Sequence, residues 1–387
     1  MRRLSCILFW LGIFTVGLTQ PSPRERALKK SEVQVLSFGE DLGEAVKMEM
    51  RRVADAPAQN TAGKPIVVDA SGKGNFKTIQ SAINSLPDSS VTDRVILVRS
   101  GTYPEKVFIT KNHIVLVGED EAKTIITADI ARDIWRCEGH ADDWGVATLN
   151  LRGSDITLKN LTIINGYGFD HHQDTVINCD VNGSTSQKTV RSNGHQMALR
   201  SFQTTRLKVI QCTLRAYGGD TVSPWNGTAG LFYFKDCLME GGVDLYCPRG
   251  WAYAEGCTFI CHSPEAAIWH DGSKNQNQKT VLVRCTFKGD DGFKLGRYHL
   301  DSQFYLIGCN FGSNMADAPI YQAASSKGVQ WGQRAYYYNC HRQGGDYAWF
   351  NDNLGSATGN PRPGGVNAAW AMDGRWDPLK SVTGKLD

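Results

Sequence analysis

The sequence has almost no charge imbalance. Its 42 Lys and Arg stand against 39 Asp and Glu, a formal net charge of +3. No basic stripe with interleaved aromatics appears, so no nucleic-acid partner is implied. Metal-type CxxC pairs are absent too, and no metal or organic cofactor is expected. Only one run, residues 4–18, is long and apolar, and it is slightly short for a membrane span. Arg2 and Arg3 precede it. Residues 1–20 therefore read as a signal peptide. The mature chain is expected to be secreted (extracellular, periplasmic or cell wall), without stable membrane insertion, as a monomer.

What remains is globular. Hydrophobic residues make up 41% and charged ones 21%, and 40 glycines suit a fold with many turns. Residues 21–62 are polar and lack strand alternation. They read as a leader or linker, and residues 63–387 as the folded domain. Helical periodicity is scarce. One segment, FKTIQSAINSLP, places Phe76, Ile79, Ala82, Ile83 and Leu86 on one face before Pro87 stops it. Short strand-like runs follow: VILV at 95–98, KVFIT at 106–110, IVLVG at 114–118, TIITA at 124–128.

An internal repeat organises these runs. A strand motif recurs as LKNLTI, VIQCTL, FKDCLM, AEGCTF, LVRCTF, LIGCNF and YYNCHR. Its marked position is Asn160, Cys212, Cys237, Cys257, Cys285, Cys309 and Cys340. From Cys212 onward the steps are 25, 20, 28, 24 and 31 residues. Three strands of about 5–6 residues plus turns need such a length. Each repeat is then one coil of a parallel β-helix, with like residues stacked between coils. The expected class is all-β: a right-handed parallel β-helix, with helix 76–86 capping its open N-terminal end.

The repeat changes the meaning of the cysteines. Six of the 11 occupy one repeat position, so they read as an inward stack of free thiols. Disulfides belong among the off-pattern Cys137, Cys179, Cys247 and Cys261. Two polar excursions, 131–146 and 165–194, break the repeat and are expected as loops walling a binding face. His171, His172 and Asp174 within the second read as solvated loop residues. Asn182 and Asn226 head glycosylation sequons.

Polar residues in the stretch 195–250 stand out. Gln196, Asp220 and Asp244 lie beside apolar strand-like runs, and Arg297 follows in KLGRYH. Singly, each has a plain structural reading. Asp220 follows Gly218-Gly219 as a turn residue would. Gln196 reads as a strand amide, Arg297 as a surface arginine, and Asp244 as a buried salt-bridge partner.

Six ordered elements carry a resemblance: VVDASGKGNFKTIQSAINSLP at 67–87, GTYPEKV at 101–107, HQMALR at 195–200, YGGDTV at 217–222, GGVDLYCPRG at 241–250 and KLGRYH at 294–299. Together the chain resembles the pectin methylesterases, parallel β-helix enzymes acting on galacturonan. The resemblance implies Asp244 as nucleophile on a sugar methyl ester and Asp220 as acid/base. It implies Gln196 as oxyanion donor and Arg297 as the residue that pairs with Asp244. Two carboxylates in one cleft repel, and the one without an arginine would be the acid. His299, Tyr298, Tyr246 and Trp225 are expected on the substrate side, with pectin as partner.

The sequence also departs from the family. Gly219 stands where the family has a second glutamine, and loss of one oxyanion donor typically costs about 10²–10³ in rate. Tyr298-His299 replace the aromatic after the arginine, and the segment after Asp244 differs. Two other classes remain open: a pectin-binding relative without turnover, and a polygalacturonase-type glycosidase suggested by Gly289-Asp290-Asp291. Trp225, Trp251, Trp269 and Trp331 are available to stack on sugars in any of these.

Overall fold

A computed structural model describes residues 65–181, 183–323 and 328–380. The expected signal, leader and Asn182 sequon lie outside these residues. Three parallel sheets run the length of the folded body. The first has ten strands, from Ile66–Val68 to Ala335–Tyr338, and the second nine, from Gly101–Pro104 to His341–Arg342. The third comprises Val107–Ile109, Ala147–Leu151, Met197–Ser201 and Val222–Ser223. It continues as Ala266–His270, Lys294–Tyr298 and Tyr321–Gln322, with Tyr246 bridging the two parts. The chain visits the sheets in rotation, as a parallel β-helix.

One coil shows how the sequence makes this path. Leu207–Ile210 lies in the first sheet and Thr213–Arg215 in the second, with Gln211 turning between them at φ 51°. The same left-handed turn recurs at Asn160, Asp236, Gly256, Arg284, Gly308 and Asn339. Asn, Asp and Gly tolerate this region best, which accounts for most of these residue types. The next residue points inward. Leu161 and Cys212, Cys237, Cys257, Cys285, Cys309 and Cys340 are buried there, and the six thiols are free. This corrects the repeat position in the first motif. Thr162 pairs with Thr213, so Leu161 stacks on Cys212 and Asn160 is the turn residue.

The thiols also hold coils together. Cys285 Sγ donates to Ala254 O at 3.5 Å and Cys340 Sγ to Leu306 O at 3.3 Å, each on the preceding coil. Beside them Phe259 stacks on Phe287 with ring centroids 4.7 Å apart. Such pairs add about 0.5–1.5 kcal/mol beyond burial.

Helix Ile79–Ser85 packs Ile79, Ala82 and Ile83 into the same core, with Thr78 accepting from Ser81 N at its start. At the other end, residues 354–376 cover the outer face of the first sheet's later strands. Leu354, Val366, Ala368 and Met372 lie on Tyr233, Trp251, Tyr253 and Tyr305. Trp251 Nε1 donates to Asp373 and Arg375 lies over its ring, so Trp251 is a packing residue.

The excursions are more ordered than loops. Residues 132–137 form a short helix, and Thr175–Val181 pairs antiparallel with Ser184–Val190. A Cys137–Cys179 disulfide and a Lys188–Asp133 ion pair join the two. Cys247 and Cys261 remain free and buried.

Candidate active site

The third sheet turns at Asp220 and Asp244. Both adopt left-handed backbone, φ 58° and 57°, at equivalent points on successive coils. Their amides continue the inter-coil ladder, Asp220 N to Val243 O and Asp244 N to Ala266 O. Such backbone at non-glycine residues stores strain and concentrates at functional sites. Here it turns both carboxylates toward one cleft of about 370 Å³. Arg132, Asp143, His195, Arg200, Trp225, Arg249, Trp269, Asp271, Arg297 and His299 complete the lining.

Asp244 is clamped. Arg297 donates from Nε to Oδ1 at 3.0 Å and from Nη2 to Oδ2 at 2.8 Å. A bidentate pair fixes the carboxylate plane as well as its charge. Burial nevertheless pushes the Asp244 carboxyl above its ordinary value, with Arg297 pulling against it and Asp220 adding to the rise. Arg297 is itself raised by the hydrogen bond to Asp244 and also lies 3.7 Å from Glu265.

Asp220 is surrounded but not clamped. Its Oδ2 lies 3.9 Å from Arg200 and 4.0 Å from Arg249, and its Oδ1 lies 3.9 Å from His195 Nε2. The expectation that one carboxylate lacks an arginine is therefore corrected: both have arginine neighbours. Arg200 and Arg249 are buried and converge on Ser223 Oγ beneath the Trp225 ring. Arg249 also donates to Asp271 at 3.0 Å. Arg200 further faces Asp143 at 3.7 Å. Burial would raise the Asp143 carboxyl, but Arg132, Arg200 and Arg136 together hold it below the usual value.

The remaining expected residues divide. Trp225, 38% exposed, and His299 line the cleft, and His299 meets Trp269 edge to face. Tyr246 does not. It is wholly enclosed among Phe234 and Phe259, because the side chain two residues past the turn points inward, as Val222 does on the preceding coil. Tyr298 is likewise in the core, against Phe304. Gln196 is buried behind the cleft. Its Oε1 accepts from Gly168 N at 2.9 Å and its Nε2 donates to Ser192 O at 2.6 Å. The amide thus ties down the second excursion.

Glycines at 218 and 219 have steric reasons. A Cβ on Gly218 would lie 1.8 Å from Gly194 O, and one on Gly219 2.9 Å from Val243 O. The His195 ring lies beside the second position. His195, Arg200, Arg249, Asp271, Arg132 and Asp143 carried no assigned role in the sequence. The available signal was a charge within or directly after an apolar strand, as in MALRS and AAIWHD. Asp290 and Asp291 lie elsewhere. Asp291 lines a separate groove of about 710 Å³ in which it is the sole carboxylate, not the pair a glycosidase needs. Among the described residues, no group of three His, Cys, Asp or Glu converges to hold a metal.

Fold and cleft thus define a parallel β-helix protein with paired carboxylates and an arginine clamp on one face. Comparison with known proteins agrees. Residues 65–207 match the family model Pectinesterase. Putative pectinesterase 11 of Arabidopsis thaliana is 27% identical over 295 residues, 73% of this chain and 71% of that protein. Probable pectinesterase/pectinesterase inhibitor 58 of the same plant is 25% identical over 236 residues, 59% of this chain and 36% of that protein. The chain thus spans well under half of that relative's length. Pectin methylesterase PemA from Erwinia chrysanthemi shares the fold at a TM-score of 0.61 and 20% identity, covering 83% of this chain and 99% of that one. The carrot pectin methylesterase does so at 0.57 and 19%, covering 76% and 87%. The chain is thus similar to pectinesterases in sequence and shares the fold of pectin methylesterases.

Proposed function

We propose that this protein is a secreted carbohydrate esterase that hydrolyses methyl esters of galacturonan, releasing methanol. The observation that carries the reading is the bidentate Arg297–Asp244 clamp beside Asp220, in one cleft with an exposed tryptophan. Asp244 attacks the ester carbonyl and forms an acyl-enzyme, which water then cleaves. Asp220 belongs to the proton-handling side of the site. Trp225 and His299 offer surfaces for the sugar. The four cleft arginines supply positive field for the tetrahedral oxyanion, with Gln196 as a strut behind them. A solved pectin methylesterase in complex with a hexasaccharide shares the fold at a TM-score of 0.62 and 20% identity, which supports a polymer substrate for this cleft.

One observation favours a second reading, a pectin-binding relative without turnover. Gln196 is enclosed and residue 219 is glycine, so neither oxyanion amide of the family faces the cleft. Purified protein on highly methylated pectin separates the readings. Methanol without new reducing ends supports the esterase. Reducing ends mean glycosidase chemistry. Binding with neither product means the second reading is right.

A further inference from the structure

Four arginines line the cleft, and three of them are committed. Arg297 closes its fork on Asp244. Arg249 donates from Nε to Asp271 at 3.0 Å and from Nη1 to Ser223 Oγ and Cys247 O, both at 2.9 Å. Arg200 is buried and reaches the same Ser223 hydroxyl. Arg132 differs. Its Nε donates to Asp143 Oδ1 at 2.9 Å. Among the described residues no hydrogen bond engages its Nη1 or Nη2, and its side chain is 35% exposed where it lines the cleft. Four coplanar N–H donors are thus left for a ligand. They are also held in place. Arg132 N donates to His195 O at 3.0 Å, and the buried Asp143 fixes Nε. Arg136 Nη2 meets the same Asp143 oxygen at 2.8 Å, and the helix carrying both arginines is tied down by the Cys137–Cys179 disulfide. Arg200 faces Asp143 as well, at 3.7 Å. One carboxylate is shared among three arginines, so the group keeps an excess of positive charge.

We propose that Arg132 is a specificity-determining residue: it binds a free carboxylate on the galacturonan chain, at a sugar other than the one being hydrolysed. The proposal rests on reading the cleft as a galacturonan site. A methyl-esterified sugar offers only neutral carbonyl and methoxy oxygens to the guanidinium. A de-esterified sugar offers a planar carboxylate, which the free end of the fork matches with two parallel N–H···O bonds. Because the backbone and Nε are already fixed, little ordering of Arg132 opposes the contact. The cleft of about 370 Å³ is lined by Arg132 together with Asp220 and Asp244, so a single polymer chain lying in it meets both the anion receptor and the reacting carboxylates. Each hydrolysis leaves a carboxylate on that chain. The product of one turnover is therefore the group Arg132 recognises in another, and the esters taken best are those on chains that already carry free acid.

The test is direct binding. Calorimetry measures the affinity of the full chain, Arg132→Gln and Arg132→Lys for hexagalacturonate and for its fully methyl-esterified form. The glutamine variant is expected to lose about tenfold or more in affinity for the acid relative to the ester. Lysine keeps the charge without the fork and should recover part of that ratio. An unchanged ratio in the glutamine variant would overturn the proposal. Equal weakening of both forms would do so too, because it marks Arg132 as a prop for the cleft wall. A lysine variant no better than glutamine would also overturn it. Methanol release from methylated pectin by the wild-type chain tests the esterase reading separately. Methanol without the change in ratio removes the receptor and keeps the esterase; the change in ratio without methanol keeps the receptor and removes the esterase.

Discussion

Replacing Arg297 by alanine removes two charge-assisted hydrogen bonds, at 3.0 and 2.8 Å, from a carboxylate that is almost fully buried. Each such bond contributes about 1.5–3 kcal/mol. Arg297 is about a quarter exposed, so the lower end applies, giving about 3 kcal/mol against the ionised form of Asp244. At fixed pH that lowers its ionised-to-protonated ratio by roughly 150-fold. Burial already pushes this carboxyl upward, and the arginine is what opposes it. The assay is kcat/KM for methanol release against pH for wild type, Arg297→Ala and Arg297→Lys. The alanine variant should lose about two orders of magnitude at mildly acidic pH and regain rate as pH rises. Lysine, a point charge without the planar fork, should fall between. A loss by the same factor at every pH would refute the idea that Arg297 works by keeping Asp244 ionised. So would no loss at all.

Other consequences can be measured directly. Because the folded-state value of Asp244 is raised, protonated Asp244 favours folding, and that benefit is lost as pH rises from the ordinary carboxylate range through the raised value. Asp244→Asn should therefore abolish methanol release yet match or exceed wild-type thermal stability at neutral pH. On the second sheet, Glu240 is held down to about 2 by His262 first and Arg215 next, and His262 is raised by Glu240. The Glu240 contribution is present above its ordinary 4.5 and lost toward pH 2, while that of His262 is present below its ordinary 6.5 and lost as pH rises through its raised value. Glu240→Gln should lower Tm most between those two ordinary values, where both contributions are present, and flatten the Tm–pH curve below and above that window; an unchanged curve would count against the pairing. Cys137 and Cys179 are 42 residues apart in sequence, so Cys137→Ser is expected to destabilise by about 4 kcal/mol on loop-closure entropy. Denaturant unfolding measures it, and protease nicking within 131–194 should accelerate.

The coils were legible because each one repeats a single physical demand. A tight left-handed turn must be followed by a small or apolar inward group, and the Cys series records it. The slip at Asn160 arose because the turn residue and the stacked residue are adjacent, and Asn suits the first role. Asp244 and Arg297 were legible through their motifs and meet as expected. The hairpin at 175–190 was not, because its second strand, Ser184–Val190, is largely exposed and carries no apolar stripe. Arg200 and Arg249 were hidden for a different reason. Arginine is normally a surface residue, and only the converging coils show that these two share a buried hydroxyl. Residues 354–376, with their many Gly, Pro and Asn, carry no strand or helix pattern and cover the outer face of the first sheet's later strands.

The equivalent positions of Asp220 and Asp244 have a consequence for how such a site can evolve. Adjacent parallel strands lie about 4.8 Å apart, and that repeat acts as a fixed gauge for the two turns. Excursions before and between the coils can lengthen, exchange or acquire a disulfide without altering it. Reactivity is thus set by a rigid pitch and selectivity by replaceable walls, so a lineage can change what it accepts while its reacting groups keep their spacing.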